Sequence, residues 1–186
     1  MNERQHDAGA GAAVPLFVCH ANCCRSVLAC YLYRHLFPGA PALSAGLGAG
    51  DVINDRALAM LRLWGIDAAA HRPRQLDRAL CHEATAIFVM GPSYLHRLVA
   101  EYGADLAEKC YLFSDPFTRP AGLCRGEYKV RDPSFDCCPV EELIREFGWM
   151  RDRVLEVRQA LAGEGRPLVP ASAYWELCRQ VDPRSH

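Results

Sequence analysis

The chain has 186 residues, of which 51% are hydrophobic and 23% charged, and its formal net charge at pH 7 is −1. This length and composition are typical of one globular domain with its own apolar core, and they exclude a disordered chain or a small disulfide-stapled scaffold. The near-zero charge gives no overall attraction to nucleic acid or to acidic membranes, and no apolar stretch reaches the length of a membrane span. We therefore expect neither partner.

Residues 1–13 are polar and then small. They lack the basic start and apolar middle of a secretion signal, so we expect a flexible N-terminal tail there. The ten cysteines fit a reducing cytoplasm better than a secreted scaffold, because disulfide-rich secreted proteins are short and have little core. The adjacent pairs Cys23-Cys24 and Cys137-Cys138 do not have the spacing of zinc ligands. We expect no metal and a cytoplasmic location.

The first predicted strand is the apolar run 14–18, and it leads directly into the loop 19–25, after which a helical pattern opens at Ser26. The loop starts with Cys19 and ends with Arg25. This spacing lets a tight loop close round one tetrahedral anion, with backbone N–H groups directed at its oxygens. The arginine fork binds phosphate oxygens in pairs, and the positive end of the following helix favours both a phosphate and a thiolate. The loop predicts a phosphate-binding site in which Cys19 is a nucleophile.

Strand and helix patterns alternate along the rest of the chain. They predict a helix over 26–37, a strand over 42–45, a helix from the Asn54 cap through Trp64, a strand over 86–90, a helix from Pro92 to Tyr102, a strand over 110–113 and a helix over 140–161. This order predicts an α/β fold: a three-layer, doubly wound, four-stranded parallel sheet with helices on both faces and the phosphate-binding loop after the first strand. The irregular stretch 114–139 has a length typical of a functional loop.

The loop resembles the signature of the low molecular weight protein tyrosine phosphatases, which reads Cys-x-Gly-Asn-x-Cys-Arg-Ser after a hydrophobic strand. The matching positions are Cys19, Asn22, Cys24, Arg25 and Ser26. Ala21 stands where the family has glycine, and Val27 stands where it usually has proline. Because alanine resists a positive φ and a close approach of the backbone to a ligand, we expect strain or reshaping at Ala21.

The resemblance implies a phosphatase domain over residues 14–161, followed by a C-terminal extension of unknown role over 162–186. It implies a phosphate-binding loop made of His20, Ala21, Asn22, Cys23, Cys24, Arg25 and Ser26. In the implied reaction Cys19 attacks phosphorus, Arg25 and the loop stabilise the transition state, and Asp132 of an Asp-Pro pair protonates the leaving oxygen. A phosphocysteine forms and is hydrolysed to inorganic phosphate without any cofactor. The rival pair Asp115-Pro116 follows the fourth strand, where the family often has an acidic residue without a catalytic role.

Further roles follow from the resemblance alone. Ser26 matches a serine that donates a hydrogen bond to the thiolate, and a supporting polar network is implied at Asn22, Ser26, Ser44 and His71. Cys24 matches a cysteine that can trap the nucleophile as a disulfide under oxidation, with Cys23 as a competing thiol. Phe135 is the one aromatic residue near the Asp-Pro motif that would line the cleft.

The substrate class stays open at this point. A phosphorylated protein or a small aryl phosphate is expected, but Cys23 occupies the position that separates tyrosine from arginine phosphatases in related proteins, so a protein arginine phosphatase is an alternative. A thioredoxin-linked arsenate reductase would need a relay cysteine where Met90 and Gly91 stand, and Cys81 lies before that strand. The third alternative is an inactive phosphoprotein-binding module. Ala21, Val27 and Gly91 together favour it, and the trio of Cys19, Arg25 and Asp132 opposes it.

Overall fold

The computed structural model describes residues 12–118, 130–132 and 139–175. Phe135, residues 1–11 and the end of the chain after Trp175 lie outside the described residues. In chain order the elements are β1 (Pro15–Cys19), α1 (Arg25–Leu36), β2 (Leu43–Gly46), α2 (Asp55–Leu63), α3 (Arg78–Glu83), β3 (Ala86–Val89), α4 (Pro92–Tyr102), a 3₁₀ turn at Ala104–Glu108, β4 (Cys110–Leu112), α5 (Val140–Leu161) and a second 3₁₀ turn at Ala171–Tyr174.

The four strands form one sheet in the order β2-β1-β3-β4, and every pairing is parallel. In the register, Val18 of β1 lies between Ala45 of β2 and Val89 of β3. The chain leaves β1 towards β2 and later returns on the other side of β1 as β3, so the strand order reverses at the carboxyl end of β1. Ligands bind at such a reversal in doubly wound sheets. The predicted three-layer, doubly wound α/β fold is confirmed.

The core is built on the central strands, whose side chains are fully buried. Parallel strands covered on both faces need such continuous apolar runs. Phe17 stacks on Phe88 with ring centroids 5.7 Å apart, and Phe113 meets Phe17 edge-on at 5.7 Å. The long helix α5 packs along α1 through a buried stripe of Leu143, Phe147, Met150, Val154 and Val157. These contacts fix α5 to the sheet side that carries α1.

Local signals explain most of the helix ends. Asn54 caps α2 as predicted, since its Oδ1 accepts from the N–H groups of Arg56 at 3.0 Å and Ala57 at 3.4 Å. Pro92 is the first residue of α4, as predicted. Helix α3 was not predicted, because its six residues are too few to show helical spacing. Its signal was Asp77, whose Oδ1 accepts from the N–H of Leu80 at 2.7 Å.

Part of the C-terminal extension packs on the sheet edge formed by β4. The N–H of Val169 donates to the carbonyl of Pro116 at 2.8 Å. Ala171 and Tyr174 are buried, and the ring of Trp175 stacks on His96 with centroids 6.1 Å apart. The extension therefore covers an edge strand that would otherwise expose unpaired backbone groups. Among the helices of the described ranges, none combines the length and apolar character needed to cross a bilayer.

Candidate active site

The loop between β1 and α1 directs its backbone carbonyls outwards. Every carbonyl from Cys19 to Cys24 accepts a hydrogen bond from outside the loop. The donors, in loop order, are the N–H groups of Leu47 (3.1 Å), Gly48 (2.9 Å) and Gly50 (2.9 Å), Nε2 of His71 (3.0 Å), and the N–H groups of Asn54 (2.9 Å) and Leu28 (2.9 Å). A planar peptide carries its N–H opposite its carbonyl, so the loop's N–H groups turn inwards and form a concavity suited to an anion.

Two glycines, Gly46 and Gly50, lie close against the outer wall of the loop. A Cβ added at Gly46 would lie 2.6 Å from the carbonyl oxygen of His20 and 2.8 Å from the backbone nitrogen of Asn22. A Cβ added at Gly50 would lie 2.5 Å from Sγ of Cys23. The end of β2 can therefore approach the loop backbone only because Gly46 carries no side chain, whereas at Gly50 the contact is with a side chain that can rotate.

Ala21 does not have the positive φ that would have strained an alanine. Asn22 has a φ of +55°, and among the described residues it is the non-glycine residue with a positive φ. Asparagine tolerates this left-handed conformation better than most residues. The loop thus makes its tight turn one residue after the position where a glycine was expected to be needed, and alanine fits there without a left-handed backbone.

A short hydrogen-bond chain reaches the nucleophile. Sγ of Cys19, which is 2% exposed, lies 3.0 Å from Oγ of Ser26. Asn22 Nδ2 donates to the same Ser26 oxygen at 3.0 Å, and Asn22 Oδ1 accepts from the N–H of Arg74 at 2.9 Å. Asn22 occupies one acceptor site of the serine oxygen, and the serine's own O–H can donate to the sulfur when Cys19 is ionised. This orientation suits a thiolate, which can only accept.

Arg25, the first residue of α1, lies beside this chain and is 3% exposed. Its Nη2 lies 2.5 Å from Oδ2 of Asp132 and 3.0 Å from the hydroxyl of Tyr94, and its Nη1 donates to the carbonyl of Val130 at 3.3 Å. Its Nε is buried and has no hydrogen-bond partner among the described residues. A buried cationic N–H of this kind, at the rim of an N–H-lined concavity, is a donor suited to an anion.

Burial alone would lower the pKa of Arg25. The ionisable groups of Tyr94 and Asp132, and after them Cys19, act in the opposite direction and raise the pKa above its ordinary value. The guanidinium therefore keeps its charge although it is buried. Burial raises the pKa of Tyr94, so its hydroxyl stays protonated while its oxygen accepts from Arg25.

The structure places Asp132, and not Asp115, at the loop. Oδ1 of Asp115 accepts from the N–H of Phe117 at 3.1 Å, and Oδ2 accepts from the hydroxyl of Thr118 at 2.5 Å. Asp115 thus stabilises its own turn after β4. Asp132 lies against Arg25, and its segment is tied to the end of β3 by a 2.9 Å bond from the N–H of Val130 to the carbonyl of Met90.

The remaining predicted network members lie in two places. His71 reaches the carbonyl of Asn22, and because burial lowers its pKa the ring is neutral and donates through Nε2. Ser44 lies near the Cys30 thiol of α1, whose pKa burial raises to about 11. The supporting role of Ser44 in the loop stays a prediction.

The cysteines next to the nucleophile differ from it in their surroundings. Burial is the main cause that raises the pKa of Cys24 well above its ordinary value, with Asp132 and Cys19 adding to the shift. Cys23 is half-buried, donates to the carbonyl of Ala21 at 3.3 Å, and has a pKa raised first by burial. Cys81 is fully buried in α3 with a pKa raised to about 11, chiefly by burial, which does not suit a relay thiol.

Tyr94 was not predicted as a site residue. It lies in the first turn of α4, directly after β3, and its hydroxyl meets Arg25 across the site. The signal in the sequence was topological: in a parallel sheet the carboxyl ends of β1 and β3 lie at one edge, so the first turn of α4 borders the loop. Within the described ranges, no group of three or more His, Cys, Asp or Glu side chains is arranged to hold a metal ion.

The chain is similar to several known proteins. The chain is 37% identical over 89 residues to the probable low molecular weight protein-tyrosine-phosphatase EpsP of Ralstonia solanacearum, an alignment that covers 47% of this chain and 61% of that relative. The chain is thus matched to less than two thirds of the length of this curated relative.

Two solved structures share the fold. The arginine phosphatase YwlE of Geobacillus stearothermophilus superposes with a TM-score of 0.68 at 25% identity, covering 82% of this chain and 94% of that one. The tyrosine phosphatase Wzb of Escherichia coli K30 gives a TM-score of 0.67 at 21% identity, covering 81% and 99%. At that lower identity the likeness to Wzb concerns the fold alone.

The profile of one family, described as low molecular weight phosphotyrosine protein phosphatase, matches residues 15–160. This range contains all four strands, the anion-binding loop, Tyr94 and the segment that carries Asp132. The chain belongs to the low molecular weight phosphotyrosine protein phosphatase family.

Proposed function

We propose that this chain is a cysteine-dependent phosphatase that hydrolyses aryl phosphate monoesters of the phosphotyrosine type through a phosphocysteine intermediate. One observation carries the proposal: a buried Cys19, hydrogen bonded to Ser26, lies at the base of a loop whose rim is closed by the pair of Arg25 and Asp132. A binding module would need the loop and the arginine. It would not need a nucleophile and an acid at the same anion site.

In the first step the Cys19 thiolate attacks phosphorus in line with the departing oxygen. The S–P bond forms, the P–O bond breaks, and Asp132 gives its proton to the leaving oxygen. The loop N–H groups and Arg25 stabilise the charge on the three equatorial oxygens. When a phosphate binds Nε and Nη2 of Arg25, it takes the place of the Asp132 carboxyl on Nη2, which releases Asp132 towards the leaving group.

In the second step Asp132, now a carboxylate, takes a proton from a water molecule as that water attacks phosphorus. The S–P bond breaks, inorganic phosphate leaves, and the Cys19 thiolate is restored with Ser26 as its hydrogen-bond donor. The two steps together consume only the ester and one water. They use residues of this chain alone.

The depth of the nucleophile supports an aryl substrate. Cys19 is 2% exposed, so a phosphate must enter the loop to reach it, and an aromatic ring holds its phosphate further from the main chain than a short alkyl chain does. A phosphorylated tyrosine in a protein and a small aryl phosphate both satisfy this condition. A catalytic thiol and the free state of the described cysteines support a reducing compartment such as the cytoplasm.

A protein arginine phosphatase is the second candidate. Cys23 occupies the position that differs between the two activities in related proteins, and its small thiol folds back onto the carbonyl of Ala21 beside Gly50. The similarity to the arginine phosphatase YwlE at 25% identity adds weight. Hydrolysis rates for a phosphotyrosine peptide and for a phosphoarginine peptide of the same sequence would decide between the candidates.

The function is tested by hydrolysis of p-nitrophenyl phosphate in reducing buffer with EDTA. We expect Cys19→Ser to abolish turnover and Asp132→Ala to lower kcat by about 10²-fold or more, because a positioned acid contributes on that scale. Cys81→Ala is the matched control, since it removes a buried thiol outside the site. A folded native chain without activity, or an active Cys19→Ser variant, would overturn the proposal and favour a binding module.

A further inference from the structure

We propose that a cavity at the amino ends of β1 and β2 is a second binding site, which takes a small organic anion with an aromatic body. The cavity lies between the residues before β1, the turn from α1 to β2 and the last turn of α5. The anion-binding loop follows the carboxyl end of β1, so this cavity is at the opposite edge of the parallel sheet. The inference is therefore independent of the proposed function.

The cavity has the size and the lining of a small-molecule site. Its volume is about 490 Å³, which lies within the range of ligand pockets in proteins. Most of its lining is apolar, with Leu36 and Phe37 from the end of α1 and Ala40 and Pro41 from the turn that follows. Arg158 is the charged residue among the described residues that line it. An apolar pocket with one charged group is the usual design for holding a small ligand in a single orientation.

Arg158 supplies a cation that no carboxylate of the described residues neutralises. Two other arginines of α5 have such partners, since Arg151 pairs with Asp152 and Arg153 pairs with Glu156. The guanidinium carbon of Arg158 instead lies 5.6 Å from the centre of the Phe37 ring, at the wall of the cavity. A half-buried guanidinium beside apolar surface favours a ligand that carries both a negative group and an apolar body.

The turn between α1 and β2 holds the cavity wall in place before any ligand binds. The N–H of Phe37 donates to the carbonyl of Tyr33 at 3.0 Å, and the N–H of Ala40 donates to the carbonyl of Phe37 at 3.0 Å. Pro38 and Pro41 fix two further backbone angles. The fully buried Tyr33 ring backs the Phe37 ring, with centroids 5.2 Å apart. A wall that is ordered in advance lowers the entropic cost of binding.

The lining favours an aromatic anion over inorganic phosphate. A ligand ring can pack against the Phe37 ring and the prolines while its acidic group meets Arg158. Inorganic phosphate has the charge but no apolar surface to bury, so this cavity should bind it only weakly. The loop between β1 and α1 has the opposite preference, because its backbone N–H groups and Arg25 surround a tetrahedral anion. Inorganic phosphate can thus distinguish the two sites in one titration.

The experiment titrates 8-anilino-1-naphthalenesulfonate, an aromatic anion that fluoresces in apolar surroundings, into the native chain with and without excess inorganic phosphate. The variants are Arg158→Gln, Arg158→Lys, Ala40→Phe and the control Arg145→Gln, which changes an exposed arginine of the same helix. We expect one binding site that phosphate does not remove. Arg158→Gln should weaken binding about tenfold or more, because a contact with a charged group is lost. Arg158→Lys keeps the charge and should retain most of the affinity.

Ala40→Phe tests the cavity itself, because its ring would fill the space and leave Arg158 in place. We expect this variant to lose binding and the Arg145→Gln control to match the native chain. No binding to the native chain, removal of the bound probe by phosphate, equal affinity in Arg158→Gln, or full affinity in Ala40→Phe would overturn the inference. Melting temperatures accompany each variant, and Ala40→Leu replaces Ala40→Phe if the larger side chain prevents folding. A chain without phosphatase activity contradicts the proposed function and leaves this titration unaffected.

Discussion

Arg25 has two tasks that compete for one nitrogen. In the described structure its Nη2 serves both Asp132 and Tyr94, while Nε has no partner among the described residues. A phosphate that binds Nε and Nη2 competes with the Asp132 carboxylate for Nη2 and can displace it. Tyr94 cannot be displaced in this way, since its ring is buried in α4. Tyr94 is thus the partner that stays.

We therefore expect Tyr94→Phe to weaken phosphate binding more than it weakens the fold. The change removes the oxygen that accepts from Arg25 and leaves the ring, which lies 5.4 Å from the guanidinium carbon. Loss of a hydrogen bond to a charged group costs about 1.5–3 kcal/mol, which corresponds to roughly a 10- to 100-fold change in an equilibrium constant. The measurement is the inhibition constant of inorganic phosphate, together with KM for p-nitrophenyl phosphate.

Tyr111→Phe is the matched control, because Tyr111 is a half-buried tyrosine of β4 that stacks on Phe88 and lies outside the site. We expect its phosphate inhibition constant to equal that of the native chain. If Tyr94→Phe also leaves this constant unchanged while its melting temperature falls, Tyr94 holds the fold and does not hold Arg25.

Site residues that lie close together in the chain can be recognised from the sequence, whereas residues that lie far apart cannot. Cys19, Asn22, Arg25 and Ser26 are neighbours in one loop, so their spacing alone indicates their chemistry. Tyr94 meets Arg25 across 69 positions of the chain. Contacts of that separation leave no periodic or local pattern, which is why Tyr94 was missed although its element was correctly predicted.

At the scale of elements, the loop depends on the segment after β2 as much as on its own residues. Leu47, Gly48 and Gly50 each donate to a loop carbonyl, and so they set the orientation of the N–H groups that would bind phosphate. Gly46 is the point of closest approach, where the backbone of β2 meets the backbone of the loop. Neither side can yield by moving a flexible side chain.

Gly46→Ala should accordingly be strongly destabilising. The added Cβ would lie 2.6–2.8 Å from backbone atoms of three successive loop residues, so the loop or the strand must shift. Overpacking of this kind costs about 1–3 kcal/mol. We expect a lower midpoint of urea unfolding and a kcat reduced at least tenfold, since displaced N–H groups no longer meet the phosphate, each such donor being worth about 10²-fold.

Gly148→Ala is the control for this substitution. Gly148 lies inside α5, and a Cβ there meets nothing within 4 Å. Alanine favours a helix interior over glycine by about 0.5–1 kcal/mol, so this variant should be slightly more stable and fully active. Similar behaviour of the two alanine variants would show that the close approach at Gly46 does not matter.

Long helices were predicted and short helical elements were not. Helices α1, α2, α4 and α5 carry enough turns for an apolar stripe to show, and the buried strands show as continuous apolar runs. Helix α3 and the 3₁₀ turn at Ala171–Tyr174 are six and four residues long, and they exist because of their caps and tertiary contacts. For the same reason, the sequence patterns did not predict how the C-terminal segment packs.

At the scale of the whole molecule, the site and the C-terminal segment lie at different strands of the sheet. The site follows the central strand β1, and the C-terminal segment lies at the β4 edge. Val169 bonds Pro116 just after β4, and Ser172 Oγ donates to Glu108 at 3.0 Å. This segment therefore closes an edge strand of only three residues, which has few sheet contacts of its own. Its contribution should be to stability, since its described contacts lie on β4, on α4 beyond the first turn and on the 3₁₀ turn at Ala104–Glu108.

We expect Tyr174→Ala to lower the melting temperature while kcat at 25 °C stays within about twofold of the native value. Tyr174 is 2% exposed, and truncation of a buried aromatic residue in a core costs about 3–5 kcal/mol of unfolding free energy. The loss here should be smaller, because the segment can detach from the sheet and the loss cannot exceed the free energy of its docking. Truncation after residue 165 removes the whole segment and provides that limit. Equal losses of melting temperature in the two variants would show that the segment docks as one unit centred on Tyr174. A Tyr174→Ala variant with native stability would contradict this role, and one with native stability and reduced kcat would assign the segment to the active site instead.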